Sequence, residues 1–289
     1  MATAFALKSA DPAPILPARS LALLSDSYPS QAARLGHGLA GHPLLTLEAL
    51  ACAAERMDPR LVECRRSKNA NGEGFDSAEP VDGGVAATIR GIATAGRWVM
   101  LRFAESLPEY AELLDRMLGE IAPVIARHGP ALSPRAFIFI SSPGTLTPFH
   151  FDPEFNILFQ IAGSKRFATC PASEPWLSPD QQLRFHSDGD NLLPWHPDLI
   201  AGAQVHALAP GEGLFVPYKA PHWVEVGGSP SISLSLTWSN STSLELEAAW
   251  QFNAWLARVG AKPQPPAAFP GRARVKAALR RSVGKLGLA

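Results

Sequence analysis

A chain of 289 residues with 26 Lys and Arg against 26 Asp and Glu has no formal net charge, which excludes a whole-molecule bias toward nucleic acid or anionic membrane. Hydrophobic residues make up 46% and charged ones 18%, which excludes an intrinsically disordered chain and predicts one or two packed globular domains. The three cysteines, Cys52, Cys64 and Cys170, form no CxxC pair, so neither a disulfide framework nor a zinc site is expected.

The first twenty or so residues, rich in Ala and Pro, read as a loose arm without the apolar core and cleavage pattern of a secretory signal. LLTLEALACAAERM, from Leu44 to Met57, has helical spacing, and KNANGEGFDSAEPVDGG, residues 68–84, reads as a polar loop. GRWVMLRF then predicts a strand, followed by an amphipathic helix from Pro108 that Gly129 stops. From Arg135 the pattern changes to short strands bounded by Gly, Pro or Ser: RAFIFIS, EFNILFQIAG, KRFATCP, QVHALAPG, GLFVPY, HWVEVGG and SISLSLTW. Such a series predicts an antiparallel sandwich or barrel. Residues 172–202 interrupt it as a long polar insertion, of the kind used as a lid or binding loop. Beyond the strands, Thr242 and Glu245 have the spacing of a capping box opening the helix LEAAWQFNAWLARV. A proline-rich linker and a last helix follow, and after Glu247 there are Arg and Lys but no carboxylate, which makes the tail basic. No stretch is apolar and long enough to cross a bilayer, so a cytoplasmic protein is expected, without membrane or nucleic acid as partner.

In TPFHFDPEFNILFQIAGSKRFATCP, residues 147–171, His150 and Asp152 stand two apart on a strand pattern and so share one face. His222, at the start of HWVEV, is a third candidate ligand. Two histidines and a carboxylate on one face of a metal leave other positions open, which suits Fe(II) with O2 and a bidentate organic acid. Each residue also has an ordinary reading as a hydrogen-bonded polar side chain, which is the reading for His37, His42, His128, His186, His196 and His206. Lys165 interrupts an otherwise apolar strand: either it turns outward after Gly163 and Ser164, or it is buried and needs an anion. A dicarboxylic cosubstrate would supply that anion, with Thr147 and Asn156 adding hydrogen bonds. Phe137, Phe139, Phe149, Phe151 and Phe159 either enclose the centre or are plain core.

Taken together, T-P-x-H-x-D, Asn156, Gln160, Gly163, Lys165 and Pro171, with Pro217 five positions before His222, resemble the cupin-type, JmjC-like Fe(II)- and 2-oxoglutarate-dependent oxygenases, in particular the asparaginyl hydroxylase acting on hypoxia-inducible factor and its bacterial cupin-like relatives. The resemblance implies a mainly β protein with flanking helices, built on a double-stranded β-helix (jelly roll). It implies a catalytic core at 131–240, an N-terminal helical and mixed region at 1–130, and C-terminal helices with the basic tail at 241–289. It also implies iron held by His150, Asp152 and His222, and 2-oxoglutarate held by Lys165, Thr147 and Asn156. Two departures stand out. The family's asparagine after the distal histidine is absent, Leu236 or Thr237 falling near its place, and Lys219 replaces a common glycine, which puts a charged stem close to the barrel mouth. The expected activity is hydroxylation of a protein or peptide side chain, with a small molecule as the other substrate class. The rivals are a metal-dependent cupin that does not use 2-oxoglutarate and a non-catalytic regulator or binding module. The helix bearing Trp250, Phe252, Trp255 and Leu256 reads equally as a homodimer surface or as packing on the barrel's flank.

Overall fold

SISLSLTW, with small hydroxyl residues alternating against large apolar ones, forms a strand that is buried along its whole length. Its apolar side chains, Ile232, Leu234, Leu236 and Trp238, join the main core, and Ser233 offers its hydroxyl to a lysine on the opposite sheet. The fold is built around that strand. The structure, a computed structural model, describes residues 13–66, 70–74 and 83–285. The arm up to residue 12 and most of the expected loop 68–84 lie outside the described residues.

In chain order the elements are α1 (Ala18–Ser27), β1 (Ala33–Gly36), α2 (Leu47–Arg56), β2 (Val62–Arg66), α3 (Gly84–Arg90), β3 (Arg97–Arg102), α4 (Pro108–Ile125), β4 (Leu132–Ser141) and β5 (Leu146–His150). They continue with β6 (Phe155–Ala162), β7 (Lys165–Thr169), α5 (Pro179–Asp188), β8 (Gln204–Leu208), β9 (Glu212–Val216), β10 (His222–Val226), β11 (Ser231–Ser239), α6 (Ser241–Arg258) and α7 (Arg274–Lys285). Two antiparallel sheets result. One has seven strands in the order β1-β9-β6-β11-β4-β3-β2, the other four in the order β5-β10-β7-β8. This is the expected jelly roll with flanking helices, enlarged because the N-terminal region contributes β1, β2 and β3 to the larger sheet.

Alternation divides the burial. On β6, Ile157, Phe159 and Ile161 join the helices in the main core, while Leu158 belongs with Phe167, Leu214, Val216 and Val224 to a smaller cluster between the sheets. Gly163, in the turn between β6 and β7, has φ +67°, and a Cβ there would lie 2.2 Å from the Pro230 carbonyl oxygen. Only glycine fits both demands.

The polar insertion has secondary structure of its own. It contains α5, opened by a capping box between Ser178 and Gln181 with Pro179 in the first turn, and closed by Gly189 in the left-handed region. Trp176, Phe185 and Trp195 from the insertion pack on Phe149, Phe151 and Trp223, so these two phenylalanines belong to an aromatic cluster under the insertion. Phe159 lies in the main core, and Phe139 alone of the five lies beneath the Lys165 amine, 5.6 Å from ring centroid to nitrogen.

The capping box of α6 is formed by Asn240 and Ser243, two residues before the expected pair. Thr242 and Glu245 bind the C-terminal segment instead: the Thr242 hydroxyl accepts from Arg272, and Glu245 accepts from the Ala273 amide. Trp250 and Phe252 are buried within the chain, which is the flank-packing reading of this helix. Among the described residues no helix is long and apolar enough to cross a membrane.

Candidate metal centre

β5 and β10 run antiparallel with His150 directly opposite His222, which sets the two imidazoles on one face with ring centroids 4.2 Å apart. Each ring is fixed by the same device. His150 Nδ1 donates to the Pro148 carbonyl at 2.7 Å and His222 Nδ1 to the Ala220 carbonyl at 2.9 Å, both two residues upstream. With Nδ1 protonated, each Nε2 keeps its lone pair, and both Nε2 atoms face Asp152 Oδ2, at 3.8 and 3.6 Å. These separations are too long for hydrogen bonds and suit donors arranged around a shared ion. His150, Asp152 and His222 are the group among the described residues whose ligand atoms all lie within 4.8 Å of one another.

Burial, followed by the neighbouring His150, pushes the His222 imidazole down to about 4, so the ring is neutral at pH 7, the form that binds a metal. His222 also stacks on Phe167, centroid to centroid 5.0 Å. Both histidine side chains are almost sealed, at 10% and 5% exposure, while that of Asp152 is 36% exposed. Solvent therefore reaches the centre from the carboxylate side.

Thr147 precedes His150 by three positions, an odd spacing that a regular strand would send to opposite faces. A register irregularity between β5 and β10 removes the conflict: Thr147 pairs with Val224 and His150 with His222, although their separations along the two strands differ by one residue. The strand pattern alone does not contain this irregularity.

Lys165 is buried, and of its two sequence readings the inward one holds. Its Nζ donates to Ser233 Oγ at 2.6 Å, and no carboxylate pairs with it among the described residues. Burial alone lowers its pKa to about 7. Asn156 Oδ1 and Thr237 Oγ1 are likewise buried without a hydrogen-bond partner, and their residues pair directly across β6 and β11. Of the two residues that the sequence put near the missing asparagine, Leu236 joins the main core and Thr237 takes the face opposite to it. An ammonium without a carboxylate partner and an orphaned hydroxyl able to donate, that of Thr237, are the features of a site for a polar organic anion.

The Lys219 side chain is turned inward from the loop before His222. The residue is 3% exposed, left-handed at φ 57°, and its Nζ reaches Glu247 Oε1 at 2.9 Å and His186 Nε2 at 3.1 Å. Its backbone amide donates to the Asp152 carbonyl at 3.2 Å. The Tyr218 hydroxyl donates to the same Glu247 carboxylate. Burial lowers the Lys219 pKa despite Glu247, and burial followed by the Lys219 charge pushes His186 down to about 3. From the sequence alone His186 reads as an ordinary polar residue in a loop. The S-x-x-Q box ahead of it was the available signal that it stands on a helix.

Fold and site together define a jelly roll with a histidine-aspartate-histidine centre. The sequence is similar to Jumonji C domain-containing protein 5 of Drosophila melanogaster, 31% identical over 140 residues, covering 46% of this chain and 32% of that protein. It is also similar to the Lysine-specific demethylase JMJ30 of Arabidopsis thaliana, 30% identical over 131 residues, covering 42% of this chain and 27% of that protein. The match thus spans about a third or less of the length of these relatives. Among solved structures, E. coli ycfD has the same fold, with a TM-score of 0.52 and 15% identity over 92% of this chain and 66% of that one. No family model matches the sequence.

Proposed function

We propose that the protein is an Fe(II)- and 2-oxoglutarate-dependent oxygenase that hydroxylates a side chain of a polypeptide. The observation that carries this reading is the buried Lys165 amine, unpaired with any carboxylate among the described residues, in a barrel that also holds His150, Asp152 and His222. Residues 131–240 act as the catalytic core, with 1–130 and 241–289 supporting it.

His150, Asp152 and His222 hold the metal, two neutral nitrogens and one carboxylate oxygen being a donor set suited to ferrous iron. When bound, the iron supplies O2 activation coupled to oxidative decarboxylation of 2-oxoglutarate to succinate and CO2. Lys165 keeps its proton on Nζ and neutralises the far carboxylate of the cosubstrate, with Ser233 Oγ fixing the amine from behind. The Thr147 hydroxyl and the Asn156 amide N–H add hydrogen bonds to the same anion, and Thr237 has a free hydroxyl for it. Phe167 and Val224 close the barrel interior to water. Substrate approaches past Asp152, the exposed member of the three. A polypeptide substrate is supported by the similarity to a relative described as a lysine-specific demethylase. In the C-terminal helices, Leu244, Val275 and Leu279 are exposed apolar residues that a homodimer through these helices would use.

Anaerobic addition of Fe(II) and 2-oxoglutarate should give a weak visible charge-transfer band, and air should then give succinate. His150→Ala and Asp152→Ala should abolish both while leaving the fold intact. Iron-loaded protein with neither band nor succinate would overturn the reading.

A further inference from the structure

The side chain of Asp152 is approached from the insertion. Residues 191–193 run alongside the end of β5: Phe151 N donates to the Asn191 carbonyl at 3.2 Å, Leu193 N donates to the Phe149 carbonyl at 2.9 Å, and His150 bridges to Leu192. Within this short added ladder, Asn191 Nδ2 donates to the Phe151 carbonyl at 3.0 Å and lies 3.5 Å from Asp152 Oδ1. The two carboxylate oxygens of Asp152 therefore have different neighbours. Oδ2 faces the two imidazole nitrogens and Oδ1 faces the Asn191 amide.

We propose that Asn191 is a positioning residue for the metal centre, turning Oδ1 of Asp152 aside so that Oδ2 alone is presented to the ion. The inference rests on the metal-binding reading above and deepens it. Asp152 needs such a partner more than the histidines do. Each imidazole is fixed by a main-chain carbonyl, whereas the Asp152 carboxylate is 36% exposed and would otherwise rotate freely. A carboxylate with both oxygens free can bind through one or both, and a donor on one oxygen selects the one-oxygen mode. The 3.5 Å approach is a weak hydrogen bond as it stands, so its effect belongs in the geometry and affinity of the metal complex rather than in the stability of the metal-free fold. The insertion, expected from sequence as a lid or binding loop, thus supports the first ligand strand.

Co(II) titration of the full chain, read by calorimetry and by the visible d–d spectrum, tests this without turnover. Asn191→Ala should weaken Co(II) binding by about 10- to 100-fold and change the band pattern, while the metal-free melting temperature stays near wild type. Asn191→Gln, which keeps the amide, should restore part of the affinity. Arg184→Ala is the control: it removes the contacts of Arg184 with the Leu192 carbonyl and Asp190 in the same loop without touching Asp152, and should leave Co(II) binding unchanged. Wild-type affinity and spectrum in Asn191→Ala, or an equal loss in Arg184→Ala, overturns the inference while the metal reading stands. If the wild type itself binds no Co(II), both fall.

Discussion

Lys165 shows how the environment of one residue bears on chemistry. Burying an ammonium costs several kcal/mol, and here the cost appears as an amine that burial has lowered to about 7. Only the protonated amine pairs with a carboxylate. Affinity for 2-oxoglutarate should therefore be flat below about pH 7 and fall by up to about tenfold per unit above it, until the pKa of the bound state is reached. Calorimetric Kd values on the Mn(II)-loaded protein across that range measure the slope. Lys165→Ala should leave Mn(II) binding intact and weaken 2-oxoglutarate by about 100-fold or more, as expected for a charge left without its partner. A cupin that does not use 2-oxoglutarate would keep its metal-dependent activity in that variant. Thr237→Val provides a second check. Removing an orphaned buried hydroxyl should leave the free protein as stable or more stable by about 1 kcal/mol in a thermal melt, yet weaken cosubstrate binding.

The elements around these residues were legible to different degrees. The run of short segments bounded by Gly, Pro or Ser identified β4 and β6 to β11, because turn formers punctuate a series of antiparallel strands. It did not show that Thr147 and His150 share a face, since that depends on a register irregularity between two strands far apart in sequence. The Thr242 and Glu245 spacing misplaced the start of α6 because those side chains are occupied by Arg272 and Ala273, a tertiary contact with no local signature. Phe149 and Phe151 were ambiguous for a similar reason: only the folded insertion shows that Trp195 and Phe185 meet them. Gly163 tests the element scale directly. Gly163→Ala meets both an unfavourable φ and the Pro230 carbonyl, so it should destabilise the protein by more than about 1 kcal/mol and disturb the strand that carries Lys165. A denaturant melt and the 2-oxoglutarate Kd of the same variant report the two effects.

Across the whole molecule, Lys219, Glu247 and His186 tie together three distant parts of the chain: the loop before His222, α6 and the insertion. Lys219→Ala leaves the Glu247 carboxylate buried beside Tyr218 with its cation gone, and should cost about 3–5 kcal/mol in chemical denaturation. The basic tail belongs to the same scale. α7 is anchored by buried Ala277, and Arg272 pairs with Glu245, so its charge is partly used within the chain. Steeply salt-dependent DNA binding that disappears on deletion of residues 272–289 would instead favour the regulator reading.

The two imidazole locks have a further consequence for anyone who wishes to retune this centre. Because main-chain carbonyls choose which nitrogen is left bare, no side-chain replacement nearby can reverse that choice, and proline or glycine scans of the two strands would sooner break the sheet. The carboxylate arm has no such guarantee in the backbone. Natural drift and deliberate engineering alike would therefore find their adjustable handle there, in the one donor whose orientation other side chains decide.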